Sequence, residues 1–140
     1  MLSNDIALVT GASRGIGRAI AEALGEQGAT VVGTATSRSG AEVISERLAA
    51  AGVKGRGMVL DVTDPESIEQ LLNSVAESYG APSILVNNAG ITRDNLLMRM
   101  KDEEWNSIIE TNLTSLYRLS KACLRPMMKA RRGRIISIAS

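Results

Sequence analysis

The segment Thr10-Gly11-Ala12-Ser13-Arg14-Gly15-Ile16-Gly17 carries the residue types that handle phosphate. Three glycines within seven residues let the backbone turn sharply and come close to an anion. The segment follows a short apolar run and opens a stretch with helical periodicity. A helix beginning there aims its unpaired N–H groups and the positive end of its dipole at whatever the loop holds. The spacing, G-x-x-x-G-x-G, is not the G-x-G-x-x-G of the general dinucleotide fingerprint, and three glycines alone also make an ordinary turn. The position between strand and helix favours a nucleotide-phosphate site, with Gly11, Ser13, Arg14, Gly15, Ile16 and Gly17 as its candidate residues.

Other polar residues stand at the ends of apolar runs. Asp61-Val62 closes one such run, and Asn87-Asn88-Ala89-Gly90 closes the next. Asn112 lies inside a helical stretch, where Asn is an unfavourable choice because its side chain competes for backbone hydrogen bonds. Ser140 follows the last apolar run. Each also has a plain structural reading. Asp61 can cap the following turn, residues 87–90 can be a turn rich in residues that tolerate left-handed backbone, and Asn112 can be an exposed polar residue. Serines end strands routinely.

The elements that must position these residues alternate along the chain. Short apolar runs at 6–10, 30–34, 57–61, 83–87 and 134–138 read as strands buried on both faces. Helices are expected at 15–27, 40–51 and 65–79, with a long one from about 102 towards 132. In the first, Ile16, Ala19, Ile20 and Ala23 share a face at helical spacing. Pro65 suits a first helical position, with Thr63 or Asp64 as cap. In the long helix Leu116, Ser120, Cys123, Leu124 and Met127 form the expected packing stripe, and Pro126 should bend it or loosen its last turns. Strands alternating with helices imply right-handed βαβ crossovers and a parallel sheet, hence a doubly wound α/β fold of the Rossmann type. Residues 1–140 read as one dinucleotide-binding domain. The fifth strand is of interior type, so the sheet is expected to be truncated after it.

Composition narrows the partners. Hydrophobic residues make up 44% and charged residues 22%, ordinary for a globular protein, while aromatics are 2% with no Phe. An aliphatic core suits a parallel sheet, and the shortage of aromatics argues against base-stacking nucleic-acid modules. No apolar stretch approaches the length of a membrane span, and a single cysteine with no His points to a reduced, cytoplasmic setting. Charge is uneven. Through Asn112 there are nine basic and fifteen acidic residues; beyond it there are seven basic residues and no acidic one. A local basic face around Lys129, Arg131, Arg132 and Arg134 follows, suited either to an acidic partner or to complementing the helix dipole.

Taken in order, Thr10-Gly11-x-x-x-Gly15-x-Gly17, Asp61-Val62, Asn87-Asn88-Ala89-Gly90, Asn112 and Ser140 resemble the motifs of the short-chain dehydrogenase/reductase family along the whole chain. The resemblance implies that the glycine loop, Asp61, Val62, Asn88, Ala89 and Gly90 line a nicotinamide coenzyme, with Asp61 at the adenine. It implies that Asn112 and Ser140 are catalytic. The family's catalytic Tyr-x-x-x-Lys follows its Ser, so that pair is expected beyond Ser140, and residues 1–140 alone are expected to be inactive. Tyr117-Arg118-Leu119-Ser120-Lys121 spells the same pattern but precedes Ser140. Tyr117 also sits about 140° around the helix from Asn112, so it is read as the edge of a packing face. Trp105 is likewise read as a packing residue.

After the second strand, Gly33-Thr34-Ala35-Thr36-Ser37-Arg38 offers no acid to hold a ribose 2′-OH. Arg14, with the hydroxyls of Ser13 and Thr36, suits a 2′-phosphate, so NADP(H) is the expected coenzyme; otherwise Arg14 is a solvated loop cation. The run from Gly90 to Met100 and on to Trp105 resembles the 3-oxoacyl-[acyl-carrier-protein] reductases. That resemblance implies NADPH-dependent reduction of a 3-oxoacyl thioester in fatty-acid synthesis, an acyl carrier protein as partner, and a homotetramer. The alternatives are a reductase of a sugar, polyol or quinone, and a non-catalytic dinucleotide-binding module.

Overall fold

The computed structural model describes residues 2–88 and 102–138, the side chains of Trp105 and Ile108 excepted. Among these residues the chain runs β1 (Ile6–Val9), α1 (Gly15–Glu26), β2 (Thr30–Ala35), α2 (Arg38–Ala50), β3 (Gly55–Val59), α3 (Pro65–Ser78), β4 (Ile84–Asn87), α4 (Asp102–Ala130) and β5 (Arg134–Ser137). The strands form one parallel sheet in the order β3-β2-β1-β4-β5. From β1 the chain steps outward through β2 to β3, then returns to the other side of β1 with β4. The crevice between β1 and β4 at the carboxyl ends of the strands is therefore the topological switch point, where open α/β sheets hold their ligands.

Period-two alternation divides each central strand between two cores. Ala7, Val9, Val31, Ile84 and Val86 face α1 and α2, where Ala21, Ile44 and Leu48 meet them. Leu8, Val32, Met58 and Leu85 face α3 and α4, against Ile68, Leu71, Val75, Leu119, Cys123 and Met127. Helices on both faces of a parallel sheet make the fold doubly wound, as expected.

Three details of the sequence reading are corrected. The third strand lies at 55–59 rather than 57–61, so Leu60 and Asp61 follow it. Its first residues, Gly55-Arg56-Gly57, give hydrophobic patterning nothing to register, and it is an edge strand paired with β2 from Val31↔Gly55 to Ala35↔Val59. The packing face of α1 is not that of Ile16, Ala19 and Ala23. Gly17 and Ala21 are buried, Ile20 and Leu24 pack beside them, and Ile16 is 61% exposed. The smallest side of the helix meets the sheet because only that side lets it approach. In α4 the inner stripe is Ser115, Leu119, Cys123 and Met127, while Leu124 turns outward. The helix continues through Pro126 to Ala130.

Helix ends follow local chemistry. Asp64 caps α3, accepting from Glu66 N at 3.0 Å, with Pro65 in the first turn. Ser37 caps α2, accepting from Gly40 N at 3.1 Å, which starts that helix two residues before the expected 40. Helix α4 ends with Arg131 in the left-handed region at φ 55, and Arg131 N and Arg132 N donate back to Met128 O and Met127 O. That pattern closes the last carbonyls of a helix.

At the amino ends of the strands, Asp5 is buried. It accepts from Ser83 Oγ and from Arg132 Nη2, both at 2.8 Å, while Ile6 N donates to Ser83 Oγ at 3.0 Å. Arg132 thus ties the α4–β5 connection to β1 and β4. Its own side chain stays 55% exposed, so it remains on the expected basic face while holding the buried carboxylate. Lys129, Arg131 and Arg134 remain exposed.

Candidate functional site

The loop after β1 is built for close approach. Gly11 and Gly15 adopt φ 63 and φ 62, which other residues rarely take. A Cβ at Gly17 would overlap the carbonyl oxygen of Gly11 and lie 2.5 Å from Asn88 Nδ2. Asn88 Nδ2 donates to Gly11 O at 3.1 Å, and Asn88 N donates to Thr10 Oγ1 at 2.9 Å. The end of β4 therefore clamps the glycine loop against the first turn of α1. This places Gly11, Gly17 and Asn88 together at the switch point.

Arg14 is the N-cap that precedes helix α1, its backbone extended at φ −162 and ψ 170. No side chain caps the helix, and no acidic residue lies in its first turn. A Cβ at Gly15 would meet nothing within 4 Å. Open space, unpaired N–H groups and the absence of a competing carboxylate suit a bound phosphate. Arg14 and Thr36 are exposed beside this turn and at the end of β2, and Ser13 is half-buried. Ile16 faces outward, leaving its peptide rather than its side chain to the loop's interior.

Asp61 takes the local role its alternative reading foresaw. Its Oδ1 accepts from Thr63 N at 2.9 Å and Thr63 Oγ1 at 2.6 Å, while Asp61 N donates to Ser67 Oγ at 3.0 Å. The Thr63 hydroxyl first, and the Thr63 N–H second, hold its carboxyl below the usual range. A lowered folded-state pKa stabilises the fold above the unfolded carboxylate pKa, and that contribution disappears as pH falls through the folded value. Thr63→Val should raise the Asp61 midpoint in a side-chain carboxyl NMR titration and narrow that window. An unchanged midpoint would show that the hydroxyl contributes nothing. Val62 beside it is half-buried and packs into the α3–α4 core.

Asn112 is half-buried on α4. Ala89, Gly90, the run from 91 to 101, the Trp105 side chain and Ser140 lie outside the described residues, so the catalytic pair expected at Asn112 and Ser140 is placed for Asn112 alone. Tyr117 is 62% exposed, with Lys121 Nζ 5.6 Å from its ring centroid. Both line a groove of about 620 Å³ between α3 and α4, together with Ile68, Leu72, Arg118 and Arg125. Tyr117 is more exposed than the packing edge foreseen for it, and it points into this outer groove. Cys123 is buried and its thiol is pushed up to about 11 by burial, which keeps it an inert core residue.

Three residues outside the candidates also shape the site; Thr10 and Asn87 were read only as motif members, and Arg47 was missed. Thr10 joins β1 to the Asn88 backbone, and a polar residue ending a buried strand was the available signal. Asn87, 8% exposed, donates to Ser120 Oγ at 3.3 Å and ties β4 to α4. Arg47 on α2 donates through Nη1 to Ser13 O at 2.5 Å.

A glycine loop clamped at the switch point of a doubly wound sheet, before an uncapped helix, is the arrangement of a Rossmann-type α/β fold. The chain belongs to the short chain dehydrogenase family, whose sequence model matches residues 5–140. It is 67% identical over 135 residues to the 3-oxoacyl-[acyl-carrier-protein] reductase FabG of Escherichia coli (strain K12), covering 96% of this chain and 54% of that protein. The reductase of the same name from Vibrio harveyi is 67% identical over 139 residues, covering 99% of this chain and 56% of that protein. The one from Pseudomonas aeruginosa is 63% identical over the same length, with the same coverage. The chain thus spans about half the length of the curated relatives it matches. No helix among the described residues is long and apolar enough to cross a membrane.

Proposed function

We propose that this chain is the coenzyme-binding part of an NADPH-dependent 3-oxoacyl-[acyl-carrier-protein] reductase that works in the cytoplasm. The observation that carries the reading is the identity of 63–67% with reductases of that name across nearly all of this chain. It is supported by the glycine loop, whose open first turn suits a dinucleotide pyrophosphate. The coenzyme supplies the hydride. Gly11, Ser13, Gly15, Ile16 and Gly17 seat its phosphates, and Arg14 with Thr36 meets the 2′-phosphate. By the family resemblance, Asp61 and Val62 would border the adenine, and Asn88, Ala89 and Gly90 would lie beside the coenzyme. Ser140 donates a hydrogen bond to the substrate carbonyl oxygen, and Asn112 holds the water through which a proton is relayed. Tyr117 takes no part. The decisive assay is NADPH consumption by the full-length protein with 3-oxoacyl carrier thioester, against sugar, polyol and quinone carbonyls. Preference for any of those over the thioester would overturn the assignment.

Two surfaces support the partners. Ile109, Leu113, Tyr117, Leu124 and Met128 expose an apolar stripe along α4, with relative exposures from 38% to 68%. A second copy covers such a stripe in the homotetramer we assign. Lys129, Arg131 and Arg134 make the cationic face for an acidic carrier, at the end of the sheet away from the glycine loop, so docking and coenzyme binding are separable. Lys129→Glu with Arg131→Glu should raise KM for carrier-bound substrate about tenfold at low salt, less at high salt, with coenzyme affinity unchanged. An equal rise for a short thioester lacking the carrier would make these residues structural. Arg132 is left out of that test because its substitution strands the buried Asp5 carboxylate.

A further inference from the structure

We infer that Arg47 is a positioning residue of the coenzyme loop and, through that loop, a determinant of preference for the coenzyme carrying a 2′-phosphate. The inference rests on the NADP(H) reading above. Gly40, Ile44 and Arg47 are spaced i, i+4, i+7, which puts them on one face of α2. That face backs the glycine loop. A Cβ at Gly33 would meet Ala12 Cβ at 2.8 Å and Ile44 Cγ2 at 2.9 Å, and one at Gly40 would lie 4.0 Å from Ser13 Cβ. Ala12 N donates to Thr34 O at 2.9 Å, fixing the loop on the sheet side. Arg47 fixes the next peptide, reaching across 34 residues of sequence to hold Ser13 O from a half-buried position.

That carbonyl belongs to the same planar unit as the Arg14 N–H. Anchoring Ser13 O therefore sets the direction in which Arg14 leaves the loop. Arg14 has no comparable anchor of its own, being exposed, extended and without a side-chain cap. A charge-assisted bond from a guanidinium is stronger than a neutral one, and its planar fork gives direction that a lysine ammonium lacks. Arg47 thus acts on the phosphate through Arg14, without touching it.

The test uses the full-length protein, with dissociation constants for NADPH and NADH read by nicotinamide fluorescence. Arg47→Met keeps the aliphatic stem and removes the fork. NADPH affinity should fall about fivefold to tenfold and NADH affinity less than about twofold. In an Arg14→Ala background the same substitution should change NADPH affinity by less than about twofold, because the two residues act in series. Arg47→Lys should lose about twofold to threefold in the NADPH/NADH ratio, and it carries the test if Arg47→Met folds poorly. An unchanged ratio in either Arg47 variant, or full additivity with Arg14→Ala, overturns the inference. If Arg14→Ala itself weakens both coenzymes alike, it is the NADP(H) reading that fails. If Arg14→Ala lowers the ratio and the Arg47 variants do not, only the role of Arg47 falls.

Discussion

Replacing Arg14 by Ala in the full-length protein should weaken NADPH binding about tenfold to a hundredfold and leave NADH binding nearly unchanged. The expected loss, about 1.5–3 kcal/mol, is that of one charge-assisted hydrogen bond to a phosphate. The geometry suits the residue to this role. Arg14 is the exposed N-cap of α1, its neighbour Ser13 is held from behind by Arg47, and no acidic residue occupies the first turn to neutralise it. The end of β2 contributes Thr36 and Ser37, so nothing there would repel a second phosphate. Isothermal titration with both coenzymes reads the result. Equal losses would mean that Arg14 only contributes to the general field of the loop.

Gly17→Val should abolish measurable coenzyme binding, with a loss of at least about a hundredfold, and destabilise the fold by about 1–3 kcal/mol. The position has ordinary backbone geometry, so conformational strain is not the cause. Space is. The added Cβ would overlap the Gly11 carbonyl and press on the Asn88 amide, the two halves of the clamp that gives the loop its shape. Neither neighbour is the loose end of a long side chain, so the loop must shift to relieve the contact. Gly17→Ala should show a smaller loss of the same sign. Near-normal affinity in the valine variant, with melting temperature and coenzyme titration measured on the same sample, would show that the clamp is dispensable.

Much of this arrangement was legible in the sequence, for identifiable reasons. Short continuous apolar runs made Ile6–Val9, Thr30–Ala35, Ile84–Asn87 and Arg134–Ser137 stand out as strands. The first three are largely buried, but Arg134–Ser137 is an edge strand exposed along its length, not the doubly buried strand expected. The edge strand Gly55–Val59 was read two residues late, at 57–61, because glycines and an arginine open it. Helix faces were harder. Gly17 and Ala21 carry almost no hydrophobic signal yet make the contact of α1, since small side chains are what close packing selects. In α4 the buried Leu119 was passed over for Leu124, an apolar residue turned to solvent.

Candidate coenzyme residues in the glycine loop could be named because strand, loop and helix are contiguous there. The bonds that shape the loop could not. Asn88 and Gly11 are 77 residues apart, Arg47 and Ser13 are 34 apart, and Arg132 and Asp5 are 127 apart. Each is a long-range pairing that sequence periodicity does not encode. For Asp61 the converse holds. Its bond to Thr63 is local, and the turn-capping alternative anticipated it.

We propose that the coenzyme sits in the β1–β4 crevice over the glycine loop. Hydrogen–deuterium exchange of the full-length protein, with and without saturating NADPH, tests it directly. Protection should rise in the peptides covering Gly11 to Gly17 and at Asn88, and it should be larger with NADPH than with NADH around Ser13 and Arg14. Peptides covering Tyr117 to Arg125, along the outer groove of α4, should not respond. Protection centred on that groove, with the glycine loop unchanged, would mean that the coenzyme binds outside the crevice.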